Sequence, residues 1–193
     1  MFLQKVFSCG WEVLKLVSMV LKNWKRGMVV NSGKFSKGRV NIGDLAPDFT
    51  LPSQWEEMVT LSDFRGKNCV VLYFYPKDES RGCKLEACAF RDSYEVFKEA
   101  GVEVIGISSD SIDSHSKFAS HHKLPFILLS DEKGKIRKLY GVKSTFRLIP
   151  GRVTYIIDKK GVVRHIFSSQ FRPTKHVKQA LRVLKDIPEC GTS

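Results

Sequence analysis

Apolar positions change their period along the 193-residue chain, and each change marks an element. Leu3, Val6, Phe7, Val13, Leu14, Val17, Val20, Leu21 and Trp24 recur at steps of three and four, with Gln4, Lys5, Ser8, Glu12, Lys15 and Lys22 between them. That spacing predicts a basic amphipathic helix over residues 1–26. Residues 27–40 lose the period and turn rich in Gly, Ser and Lys, as a linker does. Further on, Phe49 to Leu51 and Met58 to Leu61 flank a polar turn and predict a short hairpin. Cys69 to Tyr75 (CVVLYFY) is an unbroken β-branched and aromatic run, the pattern of a strand buried on both faces. Pro76 stops it.

A helical stripe follows, Cys83, Ala87, Phe90, Tyr94 and Phe97, closed by Gly101. Val102 to Ile107 then reads as a strand, residues around 114–122 as a helix, Phe126 to Leu129 as a strand and residues around 133–140 as a short helix. Val153 to Ile157 and Val162 to Phe167 bracket Asp158-Lys-Lys-Gly161, a hairpin signal. Val177, Ala180, Leu181 and Leu184 give the last helix one apolar face. Strands alternating with helices, then a hairpin and a final helix, predict an α/β domain over residues 41–187. Its sheet is mixed, with helices flanking it in the thioredoxin-like manner. Residues 188–193 read as a mobile polar tail.

Composition narrows the function classes. No uncharged apolar run approaches the roughly 20 residues of a membrane span. Of the net charge of +12, residues 1–43 carry +7: Lys5, Lys15, Lys22, Lys25, Arg26, Lys34, Lys37 and Arg39 stand against Glu12 alone. The high pI therefore describes the arm, and the domain's surface charge is ordinary, which argues against nucleic acid as a partner. An arm of this kind suits an interfacial helix on an anionic membrane, a partner-docking helix or a transit peptide. These imply a cytoplasmic protein, peripheral on a membrane, or alternatively a plastid one associated with thylakoids. The cysteines at 9, 69, 83, 88 and 190 are too few and odd in number for a secreted disulfide framework, so a reducing compartment is expected. No Cys-x-x-Cys occurs and no histidine stands at zinc spacing from a cysteine; His115, His121 and His122 read as the exposed decoration of one helix. Cys69 reads as a core thiol, and Cys9 as a residue of the arm's apolar face.

The chemistry concentrates in Pro76-Lys-Asp-Glu-Ser80-Arg-Gly-Cys83-Lys-Leu-Glu-Ala-Cys88. Cys83 falls where a buried strand hands over to a helix, against unpaired backbone N–H groups and the positive end of the helix dipole, a setting that favours thiolate.

The chain resembles the peroxiredoxins of the Q, or bacterioferritin comigratory protein, type. The likeness covers about residues 41–187 and rests on Gly43-Asp-Leu-Ala-Pro-Asp-Phe-Thr50, YFYPKDESRGCKLEACAFRDS at 73–93 and GRVTYIIDKKGV at 151–162. It implies thiol-dependent reduction of hydrogen peroxide and organic hydroperoxides by a monomer recycled by thioredoxin, without metal, haem, flavin or other cofactor. By the same resemblance Cys83 is the peroxidatic cysteine, Ser80 holds the hydroxyl position usually held by Thr, Pro76 shields the thiolate and Arg152 is the active-site arginine. Cys88 matches the resolving cysteine of members that carry one in the same helix. Arg81 departs from a common Pro and Lys84 from a common Thr, changing local charge without removing a required group. Two other classes compete: a protein thiol-disulfide oxidoreductase, which would ordinarily use Cys-x-x-Cys, and an inactive thioredoxin-like module tethered by its arm to membrane or nucleic acid.

Overall fold

The computed structural model describes residues 39–144 and 148–190. The arm, Cys9 and Arg147 lie outside the described residues. A hairpin of β1 (Thr50–Pro52) and β2 (Met58–Thr60) opens the domain, as its flanking apolar pairs predict, and leads into a 3-10 turn, Leu61–Phe64. The central sheet comprises β3 (Cys69–Phe74), β4 (Val102–Ser108), β5 (Ile127–Ser130), β6 (Val153–Ile157) and β7 (Val163–Ser168) in the order β5-β4-β3-β6-β7. β4 lies parallel to β3 and β5, whereas β6 runs antiparallel to both β3 and β7. The β6–β7 turn closes where Asp158 and Gly161 foretell it: Gly161 takes φ +82°, and its N–H reaches the Asp158 carbonyl at 2.9 Å.

The unbroken apolar run of β3 is explained by cover on both faces. Cys69, Val71 and Tyr73 look into one core, and Val70, Leu72 and Phe74 into the other. The first core receives α1 (Arg81–Asp92), α2 (Tyr94–Glu99), α3 (Ile112–His122) and α5 (Pro173–Leu184) through Cys83, Ala87, Phe90, Phe97, Phe118, Val177, Ala180 and Leu184. The second is closed by Phe49, Leu61, Tyr140 and Val142, the latter two just after α4 (Lys135–Leu139). Phe90 is fully buried and stacks on Tyr73 at 4.7 Å between ring centroids, so truncating it to Ala should cost about 3–5 kcal/mol.

Three expectations are corrected. The stripe from Cys83 to Phe97 is two helices, because Ser93 leaves helical geometry (φ −108°, ψ 6°) between α1 and α2; serine competes for its own backbone and tolerates such a break. His115 is completely buried, held by partners far away in sequence. The segment after Pro188 is no mobile tail as far as it is described: Pro188–Cys190 forms a 3-10 turn, Cys190 is buried, and it is disulfide-bonded to Cys69 across 5.6 Å between Cα atoms. Cys69 is therefore a core residue, as its strand predicts, but not a free thiol.

Candidate active site around Cys83

The site is assembled where β3 ends. Tyr75 continues β3 by one bond, its N–H on the Ile107 carbonyl at 3.1 Å, and Pro76 turns the chain out of the sheet. The loop after Pro76 is anchored by Asp78, which is buried. Its Oδ1 accepts from the Tyr75 hydroxyl (2.8 Å), its Oδ2 from the Ser114 hydroxyl (2.8 Å) and lies 2.9 Å from His115 Nδ1, while its N–H donates to Asp110 (2.9 Å). His115 Nε2 stands 3.2 Å from the Leu129 carbonyl, so this one network joins the loop to α3 and β5.

Ser80, in extended conformation, is the N-cap of α1, yet its hydroxyl makes no cap bond. Cys83 is the third helical residue, so its Sγ lies beside backbone N–H groups that no helical carbonyl satisfies. Cys83 is 1% exposed and unbonded to another cysteine; Cys88, five residues on, is half-buried and also free.

From the opposite side comes Arg152, immediately before β6, itself buried. Its Nη2 donates to Cys83 Sγ at 3.2 Å, its Nη1 pairs with Glu86 Oε2, and its Nε reaches the Gln170 carbonyl at 3.4 Å. Gly82 makes this approach feasible, since a Cβ there would lie 3.1 Å from Arg152 Nη2. Arg137, buried under the site, donates Nη2 to the Tyr75 carbonyl (2.6 Å) and Nη1 to the Gly151 carbonyl (2.8 Å). It thereby fixes the residues preceding Pro76 and Arg152 relative to one another.

The charges respond to this enclosure. Burial pushes the Glu86 carboxyl up to about 8 against the pull of Arg152. Burial alone would lower Arg152, but Glu86 and Cys83 beside it raise it. His176, whose Nδ1 is 2.8 Å from the Thr154 hydroxyl and whose Nε2 is 2.9 Å from the Ser169 carbonyl, is lowered to about 4 by burial. A neutral His176 therefore backs the far side of Glu86, 3.6 Å from Oε1. The result is a buried sulfur with one fixed cation directed at it.

Cys83 and Arg152 converge from two elements that are separated in sequence, whereas Ser80, the N-cap of α1, and Pro76 border them by chain connection and Cys88 stands half-buried further along α1. Sequence reading overlooked Glu86, Arg137, Asp78 and His115. Glu86 did leave a signal: with Cys83, Ala87 and Phe90 it occupies i, i+3, i+4 and i+7 of one stripe, so an acid is aimed at the core. Arg137 and His115 left none, because their partners are fixed by topology.

Comparison with known proteins agrees with this geometry. Residues 42–166 match the family model described as AhpC/TSA family. The chain is 54% identical over 151 residues to "Peroxiredoxin Q, chloroplastic" of Triticum aestivum, covering 78% of this chain and 69% of that one. It is 56% identical over 148 residues to the Arabidopsis thaliana protein of the same name, covering 76% and 68%. Among solved structures, Peroxidoxin BcpB from Mycobacterium tuberculosis superposes with a TM-score of 0.71 at 34% identity, over 77% of this chain and 99% of that one. The chain belongs to the AhpC/TSA family and, within it, to the peroxiredoxins of the Q type: it is a thiol-dependent peroxidase of the atypical two-cysteine kind.

Proposed function

We propose that Cys83 is the peroxidatic thiolate, with Arg152, Ser80 and Pro76 forming its surroundings and Cys88 resolving the product. The observation that carries this reading is the 3.2 Å contact from Arg152 Nη2 to Cys83 Sγ between two buried side chains at a helix N-terminus. Cleaving an O–O bond needs a nucleophile, a donor for the departing oxygen and fixed positive charge where negative charge gathers. The Cys83 sulfur attacks one peroxide oxygen, the O–O bond breaks, and the departing oxygen takes a proton and leaves as water or an alcohol. Ser80, whose hydroxyl is not spent on capping the helix, donates to that oxygen, and Arg152 holds its charge. Pro76 shields the sulfur from bulk water. Cys83 is left as a sulfenic acid, from which the Cys88 thiol displaces water to form a disulfide. A dithiol reductant, thioredoxin in this proposal, returns both thiols and carries off the two electrons' worth of oxidation.

Exposed apolar side chains adjoin these residues in sequence: Leu85 two residues after Cys83, Ile149 three before Arg152, and Phe171 next to the carbonyl that receives Arg152 Nε. They favour hydroperoxides with an organic tail alongside hydrogen peroxide. The chloroplastic relatives favour the plastid over the cytoplasm as the compartment. The basic periodicity of residues 1–26 supports a peripheral association with anionic lipid. Vesicles containing anionic lipid should bind the full chain and release it at high salt, but not a chain lacking those 26 residues; equal binding by both would remove the arm from this role.

The test of the chemistry is single-turnover and steady-state peroxide consumption. Cys83→Ser should consume none. Cys88→Ser should consume one equivalent and lose thioredoxin-driven turnover. Arg152→Ala should slow the first turnover about a hundredfold, the usual cost of losing one preorganised donor. Full turnover by Cys88→Ser would assign resolution to another thiol.

A further inference from the structure

The loop that carries Ser80 presents a second group of reactive side chains on its outer side. Glu79, one residue before the N-cap, meets His121 and His122 from the last turn of α3. His121 Nδ1 lies 3.1 Å from Glu79 Oε1, and His122 Nε2 lies 3.2 Å from both carboxylate oxygens. All three ligand atoms fall within 4.8 Å of one another.

A carboxylate between two imidazoles would by itself be an ordinary surface hydrogen-bonded cluster, but three observations point further. Neighbouring residues on a helix diverge by about 100°, yet these two rings stack at 4.5 Å between centroids and turn one nitrogen each toward the same carboxylate. Glu79 meets them from a left-handed backbone conformation (φ 55°), uncommon for a residue with a side chain and retained only where the surroundings hold it. The trio also sits at the C-terminal end of α3, where the helix dipole favours positive charge. The two His-to-Glu79 spacings of 3.1 and 3.2 Å suit an ion: tetrahedral coordination with bonds of about 2.0–2.1 Å puts neighbouring donor atoms roughly 3.3 Å apart.

We infer that Glu79, His121 and His122 form a binding site for a divalent transition ion of the zinc class, completed by water, that clamps the active-site loop to α3. Two imidazoles and one carboxylate are the donor set of that class, with magnesium and calcium disfavoured by the nitrogen ligands. The site is prepared on one side: His122 packs edge-on to Phe118 at 5.0 Å, and Arg91, paired with Asp92, fixes the His122 carbonyl at 2.8 Å. It is open on the other, where His121 has 71% of its side chain exposed, leaving room for water and exchange. Because Glu79 precedes Ser80, a bound ion would tie down the segment that leads into α1.

The experiment is a calorimetric titration of Zn2+ into the full chain carrying Cys83→Ser and Cys88→Ser, which removes competing active-site thiols. One equivalent should bind, and His121→Ala, His122→Gln and Glu79→Gln should each weaken that event by more than tenfold, exceeding the usual minimum cost of losing a second-sphere partner. His121 is exposed enough that its variant keeps the fold, which circular dichroism checks. Zn2+ should also slow amide exchange at residues 77–81 in the parent and not in His121→Ala. Absence of Zn2+ binding in the parent, or equal affinity and stoichiometry in the parent and His121→Ala, would overturn the site.

Discussion

Glu86 is an acid by type and, by position, a member of an apolar stripe. Its side chain is completely buried and its carboxyl is pushed up to about 8, while Arg152 pairs with one of its oxygens. An acid raised from 4.5 to about 8 keeps its proton in the folded protein across a range where the unfolded chain has released it. Folding stability supplied by that proton is complete below about 4.5 and is lost as pH rises to about 8, at up to roughly 1.4 kcal/mol per pH unit. Glu86→Gln keeps the shape and cannot ionise, so its stability relative to the parent should improve as pH rises from 5 to 8, read from urea denaturation at each pH. A constant difference would mean that Arg152 holds the carboxylate ionised throughout. The same property protects the Arg152→Ala experiment, since a Glu86 deprived of its partner is left neutral at pH 7 rather than as an isolated buried charge. Individual residues also show how far sequence reaches. The position of Cys83 was legible because a strand end and a helix start can be read locally, whereas Ser80 entered only through family likeness. Arg152 was legible only through family likeness, and Arg137, bridging the Tyr75 and Gly151 carbonyls, was not legible at all.

The strands and helices were largely written in the hydrophobic period, because each one needs an apolar face and the face must recur at 2 or 3.6 residues. What escaped was the break at Ser93, where the stripe Phe90, Tyr94, Phe97 keeps its spacing straight through the discontinuity. That break bears on dynamics, since α1 is a separate element of twelve residues with Cys83 and Cys88 both on it. On a regular helix, residues five apart have Cα atoms roughly 8.7 Å apart, whereas a disulfide tolerates only about 4.4–6.8 Å. Cys83 faces the core and Cys88 stands half-exposed, so closing the bond must also bring one sulfur out of its stripe. If Cys88 is the resolving thiol, the first turn or two of α1 must therefore melt on oxidation. Amides of residues 83–90 should lose exchange protection in the Cys83–Cys88 oxidised protein, while those of Val102–Ser108, paired on both sides by β3 and β5, keep theirs. Equal protection in fully reduced and fully oxidised samples would contradict the helical geometry of the reduced site.

Across the whole domain, the Cys69–Cys190 disulfide joins the start of the central strand to the last described turn, enclosing 121 residues of sequence separation. Neither cysteine announced this. Cys69 looks like any small apolar residue opening a buried strand, and Cys190 follows a proline in a polar stretch; only the return of the chain after α5 brings them within reach. A cross-link over a loop this long restricts the unfolded chain strongly, a contribution of about 2–4 kcal/mol in typical cases. For a protein of this size that corresponds to roughly 5–15 °C in melting temperature. Cys190→Ala should lower the melting temperature by such an amount without reductant. Adding a reductant strong enough to open the bond should bring the parent close to the variant. A gap that persists after reduction would assign the effect to the packing of the buried Cys190 side chain instead. Peroxide turnover should be the same in both proteins, because β3 separates the two sulfur chemistries: the six residue steps from Cys69 to Tyr75 extend about 20 Å along the strand. Slower turnover in Cys190→Ala at a temperature where both are folded would show that the staple and the pocket around Cys83 are coupled through β3, and that the far end of the sheet sets the position of Pro76.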